Sequence, residues 1–363
     1  MAASSRQAMR AFAVVGALVA GACQPAAAPS PAAPSSPSPS AAATASPEPS
    51  PSEAGVVFPL EIEDASGATV TFEGPPERVG CWWLGCLEVM ADLGVTPHAA
   101  EDALEGAFFF PAGEPEVGIA DTFSVEEWAA ADIDLFVADL NGFGDNTEAF
   151  AQITQPFYLH TPFYADTEEE LRGVDAYVEN VRLMGQVLDR TAEADAAIER
   201  FESLVAELKE RAPEGAPETV VSGLWASNEG QYFLLEANSP FCDVLETNGL
   251  ATCIDEEGEI NAEAYLAIDP DWIAYIAFGS DSWTARPPDP VWSKLSAVKN
   301  EQVYDSNGRG DGATRIFCCS LRGLEHALLE FGHEVWGEEG GIPDPGPAYD
   351  YDPSRNPLLT APS

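Results

Sequence analysis

Two glutamates, Glu126 and Glu263, occupy the same place in two copies of one sequence unit that lie 137 residues apart. One copy opens with Ser124 and the other with Asn261, and both residue types cap helix N-termini. Each glutamate follows two residues later, in the first turn of a predicted short helix. The helix dipole alone favours an acidic residue there. An exposed carboxylate at the same spot on two similar units also suits docking onto a two-fold symmetric partner.

The elements that position these glutamates are a short capped helix, a tight turn and a buried strand in each unit. The unit continues with an aromatic residue, an Asp-x-Asp step and an apolar run. Strand-like runs recur at residues 133–138, 157–160, 220–225, 272–278 and 302–304, with helical patterns between several of them. This alternation predicts an α/β fold of two lobes with mostly parallel sheets.

A long helix is predicted between the two lobes. Thr167 and Glu170 have the spacing of a capping box, and apolar residues then recur at helical intervals to Leu188. A rod of roughly 23 residues would be about 35 Å long and could run from one lobe to the other. A second helix is predicted to start at Thr191. The alternative is that both helices pack on one lobe.

The N-terminus has the features of an export signal. Residues 1–22 combine two arginines with a short apolar run, and the sequence Ala20-Gly-Ala-Cys23 at their end resembles a bacterial lipobox. Residues 24–54 are nearly all Pro, Ala and Ser, which is typical of an extended tether. We therefore expect a lipid on Cys23, with ordinary secretion as the alternative. The predicted organisation is a signal peptide (1–22), a tether (23–54), an N-terminal lobe (55–165), a connecting helix (166–190), a C-terminal lobe (191–339) and a flexible tail (340–363).

Six further cysteines belong to an exported chain, where disulfides persist. Cys242 and Cys253 flank a predicted helix end, and their closeness in sequence favours a disulfide between them. The other four are Cys81, Cys86, Cys318 and Cys319. They are expected to form disulfides, with a metal site that includes His326 as the alternative. No CxxC or HxxxH spacing supports the metal, so no metal site is predicted.

The charge excludes several functions. The chain has 61 acidic and 16 basic residues and a net charge of −45, which would repel nucleic acid. The acid is dispersed, which favours a surface suited to high external salt, or else a cationic ligand. The chain has no GxSxG, HExxH or P-loop motif, so it is not predicted to be an enzyme. An adhesion module on a stalk is a further alternative.

Several segments in a shared order resemble one family. They are Pro75-Pro-Glu-Arg-Val79, Glu88-Val-Met-Ala-Asp-Leu-Gly94, the two repeated units and residues 291–304, which read VWSKLSAVKNEQVY. Together they resemble the substrate-binding proteins of ABC importers for iron-siderophores, haem and vitamin B12. The resemblance covers about residues 57–336. It implies two Rossmann-like lobes joined by a long interdomain helix, with the ligand bound in the cleft between them.

The resemblance also implies a role and partners. Such a protein is a monomer without a cofactor, captures a chelate outside the cell and delivers it to a permease dimer. Its permease-docking residues would be Glu126 and Glu263. With Cys23 as its anchor it would sit on the outer face of the cytoplasmic membrane. The implied ligand is a ferric siderophore, with cobalamin or haem as alternatives.

Candidate ligand-binding residues follow from the resemblance and from strand ends, where α/β folds bind ligands. The family has small polar residues in its first loop, but this chain has Cys81-Trp-Trp-Leu-Gly-Cys86. Trp82 and Trp83 are therefore expected either to contact the ligand or to pack within the lobe. Phe109, in the run Phe108-Phe-Phe-Pro111 of the same lobe, is expected either to line the rim of the cleft or to belong to the core. On the other lobe the candidates are Trp225, Tyr232, Trp283, Arg286 and Arg309. The arginines would pair with the anionic oxygens of a chelate, or else form ordinary surface ion pairs.

Overall fold

The computed structural model describes residues 55–101, 115–120, 124–140, 147–161, 171–226, 232–234, 239–254, 258–277, 291–305, 320–346, 351, 353–356 and 358. The chain from Glu53 to Ser363 forms one compact unit. It begins with an antiparallel hairpin of β1 (Leu60–Glu63) and β2 (Thr69–Phe72). The turn between these strands is held by Asp64, whose carboxylate accepts hydrogen bonds from the amides of Ser66 and Ala68.

Among the described residues, the first large sheet has five strands, all parallel. They are β3 (Val79–Cys81), β4 (Ala99–Glu101), β5 (Val117–Ile119), β6 (Leu135–Asp139) and β7 (Pro156–Leu159), in the order β5-β4-β3-β6-β7. The helices of this part are α1 (Trp83–Asp92), α2 (Val125–Ala130) and α3 (Thr147–Phe150). The chain fills one side of β3 before it crosses to β6, so the strand order reverses between β3 and β6.

Two helices, α4 (Gly173–Val187) and α5 (Thr191–Arg211), connect the two sheets. The predicted single rod is wrong across Leu171 and Arg172, which are not helical. Arg172 is extended and Gly173 has φ of 55°, so the described helix is 15 residues, about 22 Å. The expected capping box at 167–170 lies outside the described residues. The second helix starts at Thr191 as predicted, and it packs against α4.

The second sheet is mixed. Its strands are β8 (Val220–Ala226), β9 (Tyr232–Leu234), β10 (Thr252–Cys253), β11 (Gly258–Ile260), β12 (Trp272–Ala277) and β13 (Val303–Asp305). Strands β10, β8, β12 and β13 are parallel, while β9 and β11 add an antiparallel edge. The helices are α6 (Pro240–Thr247), α7 (Ala262–Ile268), α8 (Ser296–Lys299) and α9 (Leu321–Gly340). The fold is therefore α/β, as the sequence predicts.

Side-chain alternation divides each sheet between two packing layers. In β6, Leu135 and Val137 join a large core that includes α1, α4, α5, α6 and α9. Phe136 and Ala138 face the opposite layer, where α2 packs. In β12, Trp272 and Ala274 belong to the large core, whereas Ile273 and Tyr275 face the layer that contains α7. The central helices thus fill the space shared by the two sheets, and each repeated unit packs on an outer face.

The segment after Gly340 was expected to be a flexible tail because it is rich in Pro and Gly. Its described residues instead pack back onto α9. Ile342, Tyr351 and Asn356 are buried, and the Tyr351 hydroxyl donates to Glu325 Oε2 at 3.2 Å. The composition of the segment did not reveal these scattered anchoring side chains.

Candidate functional site

The repeated units form the same local structure in both halves of the chain. Ser124 Oγ accepts a hydrogen bond from the amide of Glu127, and Asn261 Oδ1 accepts one from the amide of Ala264. These caps fix the start of α2 and α7. Glu126 and Glu263 are each the second residue of their helix, and both side chains are exposed.

The rest of each unit anchors its helix to the neighbouring sheet. Trp128 in α2 and Tyr265 in α7 are fully buried. The carboxylate of the second aspartate in each Asp-x-Asp step then accepts a hydrogen bond from a backbone amide at the start of a central strand. Asp134 accepts from the amide of Arg78, just before β3, and Asp271 accepts from the amide of Val220, the first residue of β8, both at 2.9 Å. The two exposed glutamates therefore stand on matching rigid supports, a placement that sequence similarity alone indicated.

The first sheet reverses its strand order between β3 and β6, and in open α/β sheets the carboxyl ends of two such strands border a crevice. Ligands of open α/β sheets bind at such positions. Trp82 and Trp83 follow β3 directly, and the amide of Trp82 donates to the carbonyl of Val137 in β6. The two tryptophans differ in exposure. Trp82 is 5% exposed and packs in the outer layer beside Trp128, whereas Trp83 is 42% exposed. Of these two candidates, Trp83 alone presents its ring to solvent.

Asp139, the last residue of β6, lies at the same crevice and was not identified from the sequence. Its side chain is 5% exposed, and its Oδ1 has no hydrogen-bond partner in the described structure. A Cβ atom on Gly85 of α1 would lie 2.3 Å from that oxygen, so the first turn of α1 is pressed against the carboxyl group. Burial raises the pKa of Asp139 to about 7. In the sequence, Asp139 could have been recognised as an acidic residue at the end of an apolar predicted strand.

The second sheet brings the ends of β8, β12 and β13 to one edge, because these strands are parallel neighbours. Trp225 lies in β8, but its side chain is outside the described structure. Tyr232 starts β9, is half-buried and packs against Trp292 at 4.9 Å between ring centroids. The candidates Phe109, Trp283, Arg286 and Arg309 lie outside the described residues, as does Cys23. Arg286 and Arg309 belong to the segments that follow β12 and β13.

The described part of the chain contains two disulfides. One joins Cys242 to Cys253, the pairing that the sequence favours, and links α6 to β10. The other joins Cys81 to Cys86, while Cys318 and Cys319 lie outside the described residues. In the described part of the chain, no group of three or more His, Cys, Asp or Glu side chains has the geometry of a metal site.

A buried polar cluster between α5 and α9 was also not predicted from the sequence. Arg200 Nε donates to Glu325 Oε1 at 2.8 Å, and the Glu325 side chain is 0% exposed. Burial raises the pKa of Glu325 to about 7, although Arg200 opposes the effect. Nearby, the carboxylate of Asp92 at the end of α1 accepts from the amides of Leu321 and Arg322 at the start of α9. The contacts of Asp92 link the first half of the chain to α9. In the sequence, the cluster could have been recognised from acidic residues that occupy apolar positions of predicted helices.

Comparisons with known proteins agree with this architecture. Residues 95–308 match a family model described as "Periplasmic binding protein". The chain is 22% identical over 260 residues to the Fe(3+)-citrate-binding protein YfmC of Bacillus subtilis, covering 68% of this chain and 78% of the relative. No helix among the described residues is long and apolar enough to cross a bilayer.

Solved structures share the fold. One is the triscatecholate siderophore-binding protein FeuA from Bacillus subtilis in complex with ferri-bacillibactin, with a TM-score of 0.58, 17% identity, and coverage of 76% of this chain and 98% of FeuA. Another is PiuA, an iron uptake ABC transporter substrate-binding protein from Streptococcus pneumoniae, with a TM-score of 0.56, 15% identity, and coverage of 78% and 99%.

Proposed function

The chain belongs to the periplasmic binding protein family, a family of substrate-binding proteins and not of enzymes, and from this premise we propose that it carries a ferric chelate to an ABC importer. The relatives that bind iron chelates support this choice of ligand class. The observation that carries the proposal is the pair of exposed glutamates, Glu126 and Glu263, on matching capped helices. An adhesion module would not need two equivalent carboxylates on rigid supports.

The proposed ligand site lies between the edges of the two sheets at which their parallel strands end. On the first sheet the contact residue is Trp83, with Trp82 as packing beneath it. On the second sheet the proposed contacts are Arg286 and Arg309, because their segments follow β12 and β13. A ferric siderophore with anionic oxygens needs local positive charge in a protein of net charge −45. Phe109, Trp225, Tyr232 and Trp283 are further proposed contributors to the walls of this site.

Anchoring completes the proposal. A lipid on Cys23 and the Pro/Ala/Ser-rich segment up to residue 54 would hold the monomeric protein on the outer face of the cytoplasmic membrane. Mass spectrometry of the membrane fraction should find a mature chain that starts at a diacylglycerol-modified Cys23. A mature N-terminus elsewhere, on protein free in the medium, would contradict the anchor.

Ligand class is tested by titrating the purified protein with ferric citrate, ferri-bacillibactin, haem and cobalamin while recording tryptophan fluorescence and heat. Saturable binding of at least one ferric chelate is the expected result. Arg286→Ala or Arg309→Ala should weaken that binding at least tenfold, about 1.4 kcal/mol. Binding of haem or cobalamin instead would replace the proposed ligand, and no binding of any of the four would overturn the proposal.

Docking is tested separately by uptake in proteoliposomes that contain the cognate permease. Glu126→Ala with Glu263→Ala should abolish uptake and leave chelate affinity intact, because each loses a charge pair worth roughly 1 to 3 kcal/mol. A matched control is Glu61→Ala with Glu259→Ala, which removes one exposed glutamate from each half of the chain. Normal uptake by the first variant would rule out the docking role.

A further inference from the structure

The junction between β3 and α1 is enclosed by a disulfide. Cys81 is the last residue of β3 and Cys86 lies in the first half of α1, and their Cα atoms are 5.4 Å apart. Both cysteines are fully buried. The bridge closes a small covalent ring that contains Trp82 and Trp83. This ring stands at the crevice where the first sheet reverses its strand order.

Neighbouring groups fix the two ends of this ring independently. The amide of Trp82 donates to Val137 O at 2.9 Å, which ties the start of the loop to β6. Gly85 lies so close to Asp139 that a Cβ atom there would meet the carboxylate at 2.3 Å. Trp82 itself is buried in the outer layer with Phe136 and its neighbours. Trp83 and Leu84 lie between these fixed points.

Trp83 has a backbone conformation that a bulky residue rarely adopts. Its φ is 69°, in the region that normally favours glycine. Its indole ring leans on that of Trp82, with 6.1 Å between centroids and 34° between planes, and remains 42% exposed. A strained residue persists only where its surroundings over-determine it, and such residues cluster at ligand sites. Here the surroundings are the covalent ring and the anchored Trp82.

We propose that the Cys81–Cys86 disulfide is a positioning device that holds the Trp83 ring outward as a flat contact surface for the aromatic rings of a ferric chelate. The inference rests on the proposed function and deepens it. An exposed indole face offers stacking to an aromatic ring and offers little to a small aliphatic carboxylate. Trp83 is therefore a specificity-determining residue that favours a catecholate chelate over ferric citrate.

Binding measurements test the contact. Trp83→Ala should weaken binding of ferri-bacillibactin at least tenfold and change binding of ferric citrate less than threefold, while Trp83→Phe should retain most of the affinity for ferri-bacillibactin. The conservative variant separates a ring contact from general damage to the loop. Equal affinity of Trp83→Ala and wild type for ferri-bacillibactin would overturn the inference.

Quenching measurements test the positioning device without any ligand. The emission of Trp83 is obtained by subtracting the spectrum of Trp83→Phe, and neutral acrylamide is the quencher because the acidic protein would repel iodide. In Cys81→Ala with Cys86→Ala, the quenching constant of Trp83 should change at least twofold, and binding of ferri-bacillibactin should weaken about tenfold. Cys242→Ala with Cys253→Ala is the matched control, which removes a buried bridge elsewhere and should change neither quantity.

These outcomes separate the two proposals. If no ferric chelate binds the wild type, the proposed function fails, and a quenching constant that is the same with and without the Cys81–Cys86 bridge then overturns the positioning device as well. If a chelate binds but the quenching constant does not depend on the bridge, only the positioning device is overturned. If the cysteine variant does not fold, the Trp83→Ala titration still decides whether the ring contacts the chelate.

Discussion

Asp139 offers a direct test of the electrostatics at the crevice. Its carboxyl group is buried at the end of β6, and Oδ1 has no hydrogen-bond partner in the described structure. Burial raises its pKa from the ordinary 3.8 to about 7. Replacing Asp139 by asparagine keeps the shape of the side chain and removes the titratable carboxyl group. We therefore expect Asp139→Asn to stabilise the protein at alkaline pH.

The magnitude follows from the pKa values. A difference between 3.8 and about 7, at about 1.4 kcal/mol per pKa unit, corresponds to about 4 kcal/mol. Because the pKa of the folded state is raised, the folded protein binds more protons than the unfolded chain between these values. The contribution of Asp139 to stability is present below pH 3.8 and is lost as the pH rises towards 7. The variant should exceed the wild type by about 4 kcal/mol at pH 8.5 and by about 1.5 kcal/mol at pH 5.

The assay is urea denaturation of both proteins at several pH values between 5 and 8.5. Other buried acids such as Glu325 titrate in both proteins, so only the difference between the two free energies of unfolding reports Asp139. Asp195→Asn, at an exposed position of α5, is the control and should change stability by less than about 0.5 kcal/mol at every pH. A difference that does not vary with pH, or a variant less stable than wild type at pH 8.5, would refute the reasoning.

Three further substitutions probe the supports of the fold by urea denaturation. Gly173→Ala should cost about 2 kcal/mol, because φ is 55° and the new Cβ would lie 2.4 Å from a carboxylate oxygen of α6; an unchanged midpoint would contradict this geometry. Cys242→Ser with Cys253→Ser should cost about 3 kcal/mol from the loop that the bridge closes, and equal stability of this variant and the wild type would argue against the bridge. Arg200→Met should cost about 3 kcal/mol at pH 8, because it leaves the buried Glu325 carboxylate without its charged partner, and less at pH 5, where that carboxyl group is protonated. A loss of stability that does not vary with pH would be inconsistent with the raised pKa of Glu325.

Local signals predicted much of the architecture because their causes lie within a few residues. The caps at Ser124 and Asn261 act on amides three residues away, so the sequence repeat was sufficient to place Glu126 and Glu263 alike. The strands β6, β8 and β12 are apolar runs long enough to be recognised without knowledge of their neighbours. Short strands such as β4, β9 and β10 were not predicted, because two or three residues carry too little pattern.

Features that depend on distant partners were decided only by the tertiary structure. The break before α4 arises where Gly173 meets Asp243, some 70 residues along the chain, so periodicity alone predicted too long a helix. The burial of Tyr351 depends on a carboxylate in α9, and composition could not indicate it.

The adjacent residues Trp82 and Trp83 show the same division most clearly. The sequence showed the two residue types and their position after a strand. It left two alternatives open for each ring, contact with a ligand or packing in the lobe. Which ring turns inward depends on the packing around Trp128 and Phe136, on the bridge to Cys86 and on the sign of one backbone angle. Residue identity determines what chemistry a side chain offers, whereas contacts between distant segments determine whether that chemistry faces the core or the solvent.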